Sequence, residues 1–314
     1  AHACLAPYAE IRLFQCATMH QSCHGSQGER SVPGRRVDHA KQAAGGAVGG
    51  LDLLDAAAIR AQLDPEALRQ PLRLDLHWST DSTNSRLVEA AQTASIHGLV
   101  CLAERQTAGR GRRGRNWFSP FGGNLYLSLG WSFNAGVSTL EGLSLAVGVA
   151  LARTLEQLGI EGALLKWPND LLIDQGKVAG ILIETVGDMD SHCQVVIGVG
   201  VNVRMPAAAE AAIDQRWSDL QRHLAEPLSR NRLTALLLNQ LVAMLSQFHR
   251  QGFAAFAEAW NQRDLCAGQA VVIRGLHSAI EGIACGVDQR GGLQLRTAAG
   301  IEVIRSGEVS LRMQ

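Results

Sequence analysis

The chain has 314 residues, 46% of them hydrophobic, and Lys+Arg and Asp+Glu are equal at 29 each. That length and composition allow two domains and a sizeable core, while the charge balance excludes a global basic field drawing the protein to nucleic acid or a membrane surface. Seven scattered cysteines with no C-x-x-C pair argue for a reducing, cytoplasmic setting over a disulfide scaffold.

The opening "AHACLAPYAE" has no basic n-region followed by an apolar run, so no signal peptide is expected. It does not begin with Met, and the true start can lie upstream. "HQSCHGSQGERSVPGRRVDHAKQAAGGAVGG" is polar, Gly-rich and aperiodic, and residues 1–50 are expected to be disordered or poorly packed. Cys16, His20, Cys23 and His24 are zinc-ligand types, but their spacing matches no standard finger and no metal is expected there. No apolar run of the chain approaches the ~20 residues that span a bilayer.

From Leu51 the pattern sharpens. "LDLLDAAAIRAQL" predicts a short helix with Asp55 as N-cap. "LRLDLHWS" alternates as a strand, "STNSRLVEAAQTAS" reads as a helix capped by Ser or Thr, and "GLVCLAER" is a strand. "GNLYLSLGWSF" alternates again, and "STLEGLSLAVGVALARTLEQLG" is a long, mostly buried helix. Short strands follow at "ALLKW", "DLLID", "KVAGILIETVG" and "CQVVIGVGVNV". Residues 231–261 form a helical pair or one bent helix, and from Cys266 short strands with Gly turns suit a small barrel.

Between the strand at Gly98–Arg105 and the next lies Gly109-Arg110-Gly111-Arg112-Arg113-Gly114, a formal G-x-G-x-x-G. A dinucleotide loop must open a helix, but "RNWFSPFGGNLYLSL" follows, with Pro120 and Gly122-Gly123 before an alternating strand. No Gly-Lys-Ser/Thr closes the run, so a Walker A loop fails too. A solvated basic loop that touches nucleic acid is the plain alternative. The aromatic cluster Trp117, Phe118 and Phe121, and the position between two strands, favour a pocket that grips a phosphorylated, partly flat ligand.

"GRGRRGRNWFSPFGGNLYLS" (109–128) resembles the adenylate-binding loop of the biotin protein ligase family. "KWPNDLLIDQGKVAGILIE" (166–184), "STDSTN" (79–84) and "IGVGVNV" (197–203) are similar to three further blocks of that family, in the same order and spacing from about Leu51 to Arg312. The resemblance implies an α+β fold: a class II synthetase-like mixed β-sheet catalytic domain over 51–265 and an SH3-like barrel over 266–314. It implies ATP-dependent formation of biotinyl-AMP with Mg²⁺, then transfer of biotin to a lysine of the biotin carboxyl carrier protein of acetyl-CoA carboxylase. A homodimer is a candidate assembly, and some bacterial members of the family also repress the biotin operon through an N-terminal winged helix-turn-helix. Residues 1–50 carry no such pattern, so operator DNA is not an expected partner unless that segment folds as a DNA-binding domain.

The chemistry explains the residue types. Joining a carboxylate to a polyphosphate needs fixed cations, usually with Mg²⁺. By resemblance Arg110 and Arg112, with Gly111, hold the carboxylate and phosphate, and Lys177 reaches both. Read without it, Lys177 is an edge lysine after the hairpin turn "DQGK". Ser82, Thr83, Asn84 and Gln106 are the implied partners of the ureido ring, the first three also being helix-cap residues. Asn169 and Asp170 are expected near the nucleotide and metal, with Asp170 a candidate for Mg²⁺ or loop support and a candidate partner for Lys166. Asn202 is a candidate nucleotide or biotin-tail contact. Trp117 and Trp217 are adenine-stacking candidates, or else plain core. The loop is expected to act as a lid that shields the adenylate.

Overall fold

The computed structural model describes residues 52–187, 192–274, 279–305 and 307–311. The expectations for residues 1–50, including the four Cys and His positions, lie outside these.

The described chain opens with two helical turns, α1 (Ala56–Arg60) and α2 (Pro65–Arg69), capped by Asp55 and Asp64, whose carboxylates accept from Ala58 N and Ala67 N. The second was not anticipated; Asp64 with Pro65 is an N-cap followed by Pro at N1, a start signal on only five residues. Strand β1 (Arg73–His77), helix α3 (Thr83–Ala91), β2 (Leu99–Ala103) and β3 (Leu125–Phe133) fall where the alternation put them. After β3 come α4 (Leu143–Gln157), β4 (Leu164–Lys166), β5 (Asp170–Ile173), β6 (Gly176–Gly187) and β7 (Cys193–Val201).

These strands make one seven-stranded sheet in the order β1-β2-β3-β7-β6-β5-β4. Only β1 and β2 run parallel, joined through α3, and every other neighbour pair is antiparallel, so the sheet is mixed. The alternation of "LYLSLGWSF" is not a polar–apolar division in space, because β3 is central and eight of its nine residues are buried. Helix α4 lies on one face with eleven buried residues, and α3 lies on the other over the small cluster Leu87, Ala91, Ile96, Cys101 and Val196.

A short helix α5 (Ala209–Ala212) leads to α6 (Arg230–Gln251) and α7 (Ala257–Asn261), so the 231–261 segment is a helical pair; Gly252, at φ +63, ends the long helix. Strands β8 (Ala270–Arg274), β9 (Ala279–Val287), β10 (Leu293–Thr297), β11 (Gly300–Ile304) and β12 (Glu308–Leu311) form a five-stranded antiparallel sheet, the SH3-like unit. It meets the larger sheet at a turn. Trp167 Nε1 donates to Gly291 O at 3.1 Å, and Arg290 pairs with Glu141 at 2.7 Å. Among the described residues no helix is long and apolar enough to cross a membrane. Cys101, Cys193, Cys266 and Cys285 are free thiols.

Candidate active site

The Arg-Gly loop leaves β2 and is strapped at its stem to the segment before α3. Thr107 N donates to Thr80 O at 2.8 Å and Ala108 N to Asp81 O at 2.8 Å. The loop then closes on itself as a hairpin, with Trp117 N bonded to Gly109 O at 2.9 Å and Gly111 N to Arg115 O at 2.7 Å. The glycines serve this packing. A Cβ on Gly109 would stand 2.7 Å from both Trp117 O and Ser119 Oγ, and Gly114 turns at φ +73. No helix follows, so the dinucleotide spelling has no dinucleotide geometry.

At one end of the cavity that the loop overhangs, the polar groups are already matched. Ser82 caps α3, its Oγ 3.4 Å from Ser85 N. Gln106 Oε1 accepts from Thr83 N at 2.9 Å, and Gln106 Nε2 donates to Ser119 Oγ at 3.2 Å. Ser128 Oγ, at the centre of β3, donates to Asn84 Oδ1 at 2.6 Å and lies 2.8 Å from Thr83 Oγ1. Cap and pocket duties are thus divided: Ser82 fixes the helix start, while the side chains of Thr83 and Asn84 turn into the sheet.

The other end is charged. Lys177 Nζ sits 2.7 Å from Asp170 Oδ1 and 5.3 Å from the centroid of the Trp117 ring, with the two ionic side chains 15% and 23% exposed. Asp170 therefore pairs with Lys177 and not with Lys166, although Lys166 and Asp170 are register partners across β4 and β5. The register of β5 and β6 slips between Leu171 and Leu172, beside Lys177, and such a bulge re-aims a side chain. The turn before it has Asp174 at φ +48 and Gln175 at φ +64, a two-residue hairpin with both central residues left-handed. Asn169 is held by its Nδ2 on Ile181 O at 2.8 Å and offers Oδ1 to Arg112 at 3.5 Å. Arg110 Nη2 bonds Glu184 Oε2 at 2.8 Å.

The floor is glycine. A Cβ on Gly198 would lie 2.2 Å from Asn84 Oδ1, and one on Gly200 would lie 2.6 Å from Trp117 Cε2. The two glycines of "IGVGV" let a polar helix terminus and an indole ring rest directly on β7. Trp117 Nε1 is buried with no hydrogen-bond partner among the described residues. Tyr126 closes the back, its hydroxyl donating to Pro120 O at 2.9 Å, and burial pushes that phenol up from its usual range, so it stays neutral.

Ser82, Thr83, Asn84, Gln106, Arg110, Gly111, Arg112, Trp117, Asn169, Asp170 and Lys177 all line this one cavity of about 270 Å³. Its lining among the described residues holds five cationic side chains, Arg110, Arg112, Arg115, Lys166 and Lys177, against the single carboxylate of Asp170. Two sequence-selected residues stand outside it. Asn202 is buried and donates to Lys177 O at 3.2 Å and Ser218 O at 3.1 Å, so it pins the backbone that carries Lys177. Trp217 neighbours Lys177 through a backbone bridge, and its ring lies under Arg222, 4.4 Å from centroid to guanidinium carbon. Glu184 escaped the sequence reading. Its signal was a lone acid inside the apolar run "VAGILIETV", where it is 8% exposed.

The chain matches the family model of the Biotin/lipoate A/B protein ligase family over residues 77–202 and that of the Biotin protein ligase C terminal domain over 267–312. It is 39% identical over 263 residues to the Bifunctional ligase/repressor BirA of Escherichia coli, covering 83% of this chain and 79% of that one. This chain belongs to the biotin protein ligase family. Another relative in the family is the Biotin--[acetyl-CoA-carboxylase] ligase of Mycobacterium tuberculosis, 35% identical over 82% of this chain and 98% of the relative. Among solved structures, the biotin protein ligase from Aquifex aeolicus in complex with biotin and ATP superposes with a TM-score of 0.65 at 30% identity, covering 77% of this chain and 99% of that one. The two family models between them take in most of the cavity and the C-terminal unit, so the geometry above is that of a biotin protein ligase fold.

Proposed function

We propose that this protein is a biotin–[acetyl-CoA-carboxylase] ligase: it joins biotin to AMP at the expense of ATP, then passes biotin to a lysine of the carboxyl carrier protein. The observation that carries this reading is one cavity lined both by neutral polar side chains of Ser, Thr, Asn and Gln and by five positive side chains. A ureido ring has donors and an acceptor that must be matched when buried, and each unmatched group costs ~1–3 kcal/mol. A carboxylate meeting a triphosphate has like charges that only fixed cations offset.

In the first step a biotin carboxylate oxygen attacks the α-phosphorus and pyrophosphate departs. Lys177, held by Asp170 and the Trp117 face, supplies positive charge to the reacting oxygens, with Arg110 and Arg112 on the carboxylate and phosphate. Mg²⁺ bound with the nucleotide would add charge neutralisation at the phosphates. Asp170 is the carboxylate that fits it, because one of its oxygens remains beyond the Lys177 contact and magnesium sites use one or two carboxylates with substrate phosphates. In the second step the carrier lysine attacks the acyl carbon and AMP leaves. The Gly111–Arg115 hairpin is the lid that shields the mixed anhydride from water. The work is divided between a catalytic unit over 51–265 and the barrel over 266–314, and a cytoplasmic setting supplies both ATP and carrier.

The test is ATP–pyrophosphate exchange with purified protein. Exchange that requires biotin, followed by labelling of a carrier domain at one lysine, is the expected result. Exchange indifferent to biotin would overturn the reading.

A further inference from the structure

Glu184 is a buried acid on β6, inside the seven-stranded sheet, where burial of an unpaired acid is costly. It does not line the cavity, yet two cavity-lining residues converge on one of its oxygens. Arg110 Nη2 donates to Oε2 at 2.8 Å from the loop side, and Asn84 Nδ2 donates to the same Oε2 at 2.8 Å from the helix side. Asn84 is in turn bonded to Ser128 at 2.6 Å. This contact fixes Nη2 of the Arg110 guanidinium. Arg110 Nε is buried and has no hydrogen-bond partner among the described residues. The Arg110 side chain as a whole is 31% exposed.

We infer that Glu184 is the positioning residue for biotin: it locks Arg110 and Asn84 into one rigid unit and leaves the Nε–H of Arg110 as the donor for the substrate carboxylate. The inference rests on the functional reading above and deepens it. A guanidinium is planar with donors in fixed directions, so holding Nη2 orients the Nε–H. A long, loop-borne arginine would otherwise spend rotamer entropy each time it met its ligand. Glu184 is not among the residues that line the cavity, so its effect passes through Arg110 and Asn84. These residues address the biotin end, and the nucleotide is addressed from Asn169 and Asp170. The consequence is selective: loss of Glu184 weakens biotin use and spares ATP.

The experiment measures biotin-dependent ATP–pyrophosphate exchange in wild type, Glu184→Gln, Glu184→Ala, Arg110→Ala and Glu184→Ala/Arg110→Ala. Glu184→Ala is expected to raise the KM for biotin about tenfold while that for ATP changes less than about twofold. Glu184→Gln, which keeps shape and hydrogen bonding without the charge, is expected to fall between. Arg110→Ala should cost much less in the Glu184→Ala background than in wild type, because contacting residues with one shared role are not additive. An unchanged biotin KM in Glu184→Gln and Glu184→Ala, or parallel rises for biotin and ATP, or additive losses in the double variant, would each overturn the inference. If Glu184→Ala does not fold, Glu184→Gln decides by the same KM split. Absence of biotin-dependent exchange in wild type would instead remove the functional reading itself.

Discussion

Two arginine–glutamate pairs, each closed at 2.8 Å, sit at opposite ends of the loop's neighbourhood and do different work. Arg230, 3% exposed at the side chain, pairs with Glu104 and spends its remaining donors on backbone: Nε on Asp52 O at 2.9 Å, Nη1 on Asn124 O at 3.1 Å, and Nη2 also on Asp52 O. Glu104 is completed by Leu54 N at 2.7 Å. Every nitrogen of that guanidinium has a partner, and the pair is a rivet joining the start of the described chain, the end of β2 and the start of α6. Arg110 has the same partner type at the same distance, yet it keeps a bare Nε and lines a cavity. The difference is unused hydrogen-bonding capacity. A folded protein has reason to bury a spare donor only where something else completes it.

The largest expected effect breaks the rivet. Arg230→Met leaves Glu104 buried and unpaired, and about 3–5 kcal/mol of stability is expected to go, measured by urea unfolding. If the variant unfolds at the wild-type midpoint, saturation is not a mark of structural duty. Lys177→Ala is next and acts on the open side of the comparison. Adenylate formation should fall on the order of 10²-fold with the unfolding midpoint little changed. An unchanged pyrophosphate-exchange rate in the folded variant would remove Lys177 from the chemistry.

Arg112→Gly separates gripping from making. Single-turnover trapping is expected to show biotinyl-AMP still formed but released roughly tenfold faster, with labelling of bystander lysines on an unrelated protein. Equal retention in both proteins would refute the lid. The smallest effect tests whether spare capacity away from the cavity has any functional meaning. Asp264 has a buried, unpartnered Oδ2 and does not line the cavity. Burial raises its carboxyl to about 6, partly opposed by a hydrogen bond from Cys266 N. The unfolded chain ionises near pH 4. The folded state therefore has no handicap below about pH 4, loses stability as pH rises toward 6, and keeps that loss above it. Asp264→Asn should flatten this part of the stability curve, with a gain on the order of 1 kcal/mol at pH 7 and no change in either KM. A change in biotin or ATP use would show that the cavity's influence extends beyond its lining.

The strands and long helices were legible because their patterns are local. Alternation at "LRLDLH", the apolar run "LSLAVGVALARTL" and the Asp55 and Ser82 caps each state their structure within a few residues. Of the eleven sequence-selected residues that line the cavity, ten lie in the quoted blocks and Gln106 just before one of them. What failed was pairing across distance. The bulge beside Lys177 took Asp170 from Lys166, the residue opposite it in the ladder. Asn202 and Trp217 sit next to cavity-lining positions in sequence or ladder, yet their side chains turn to the Lys177 backbone and to Arg222.

By itself the sequence determined the element types, the order of the blocks and the kinds of charge that would gather, since backbone propensity and hydrophobic period act over neighbours. Tertiary structure alone decided which donors were consumed and which were left over. Arg230 and Arg110 are both arginines beside helices or turns, and no local pattern separates them. Their roles were set by what stood 74 to 178 residues away: backbone carbonyls reaching every nitrogen of one guanidinium, and a single buried carboxylate holding one nitrogen of the other. Hydrogen-bond saturation is a property of packed space, and it exists only once distant segments meet.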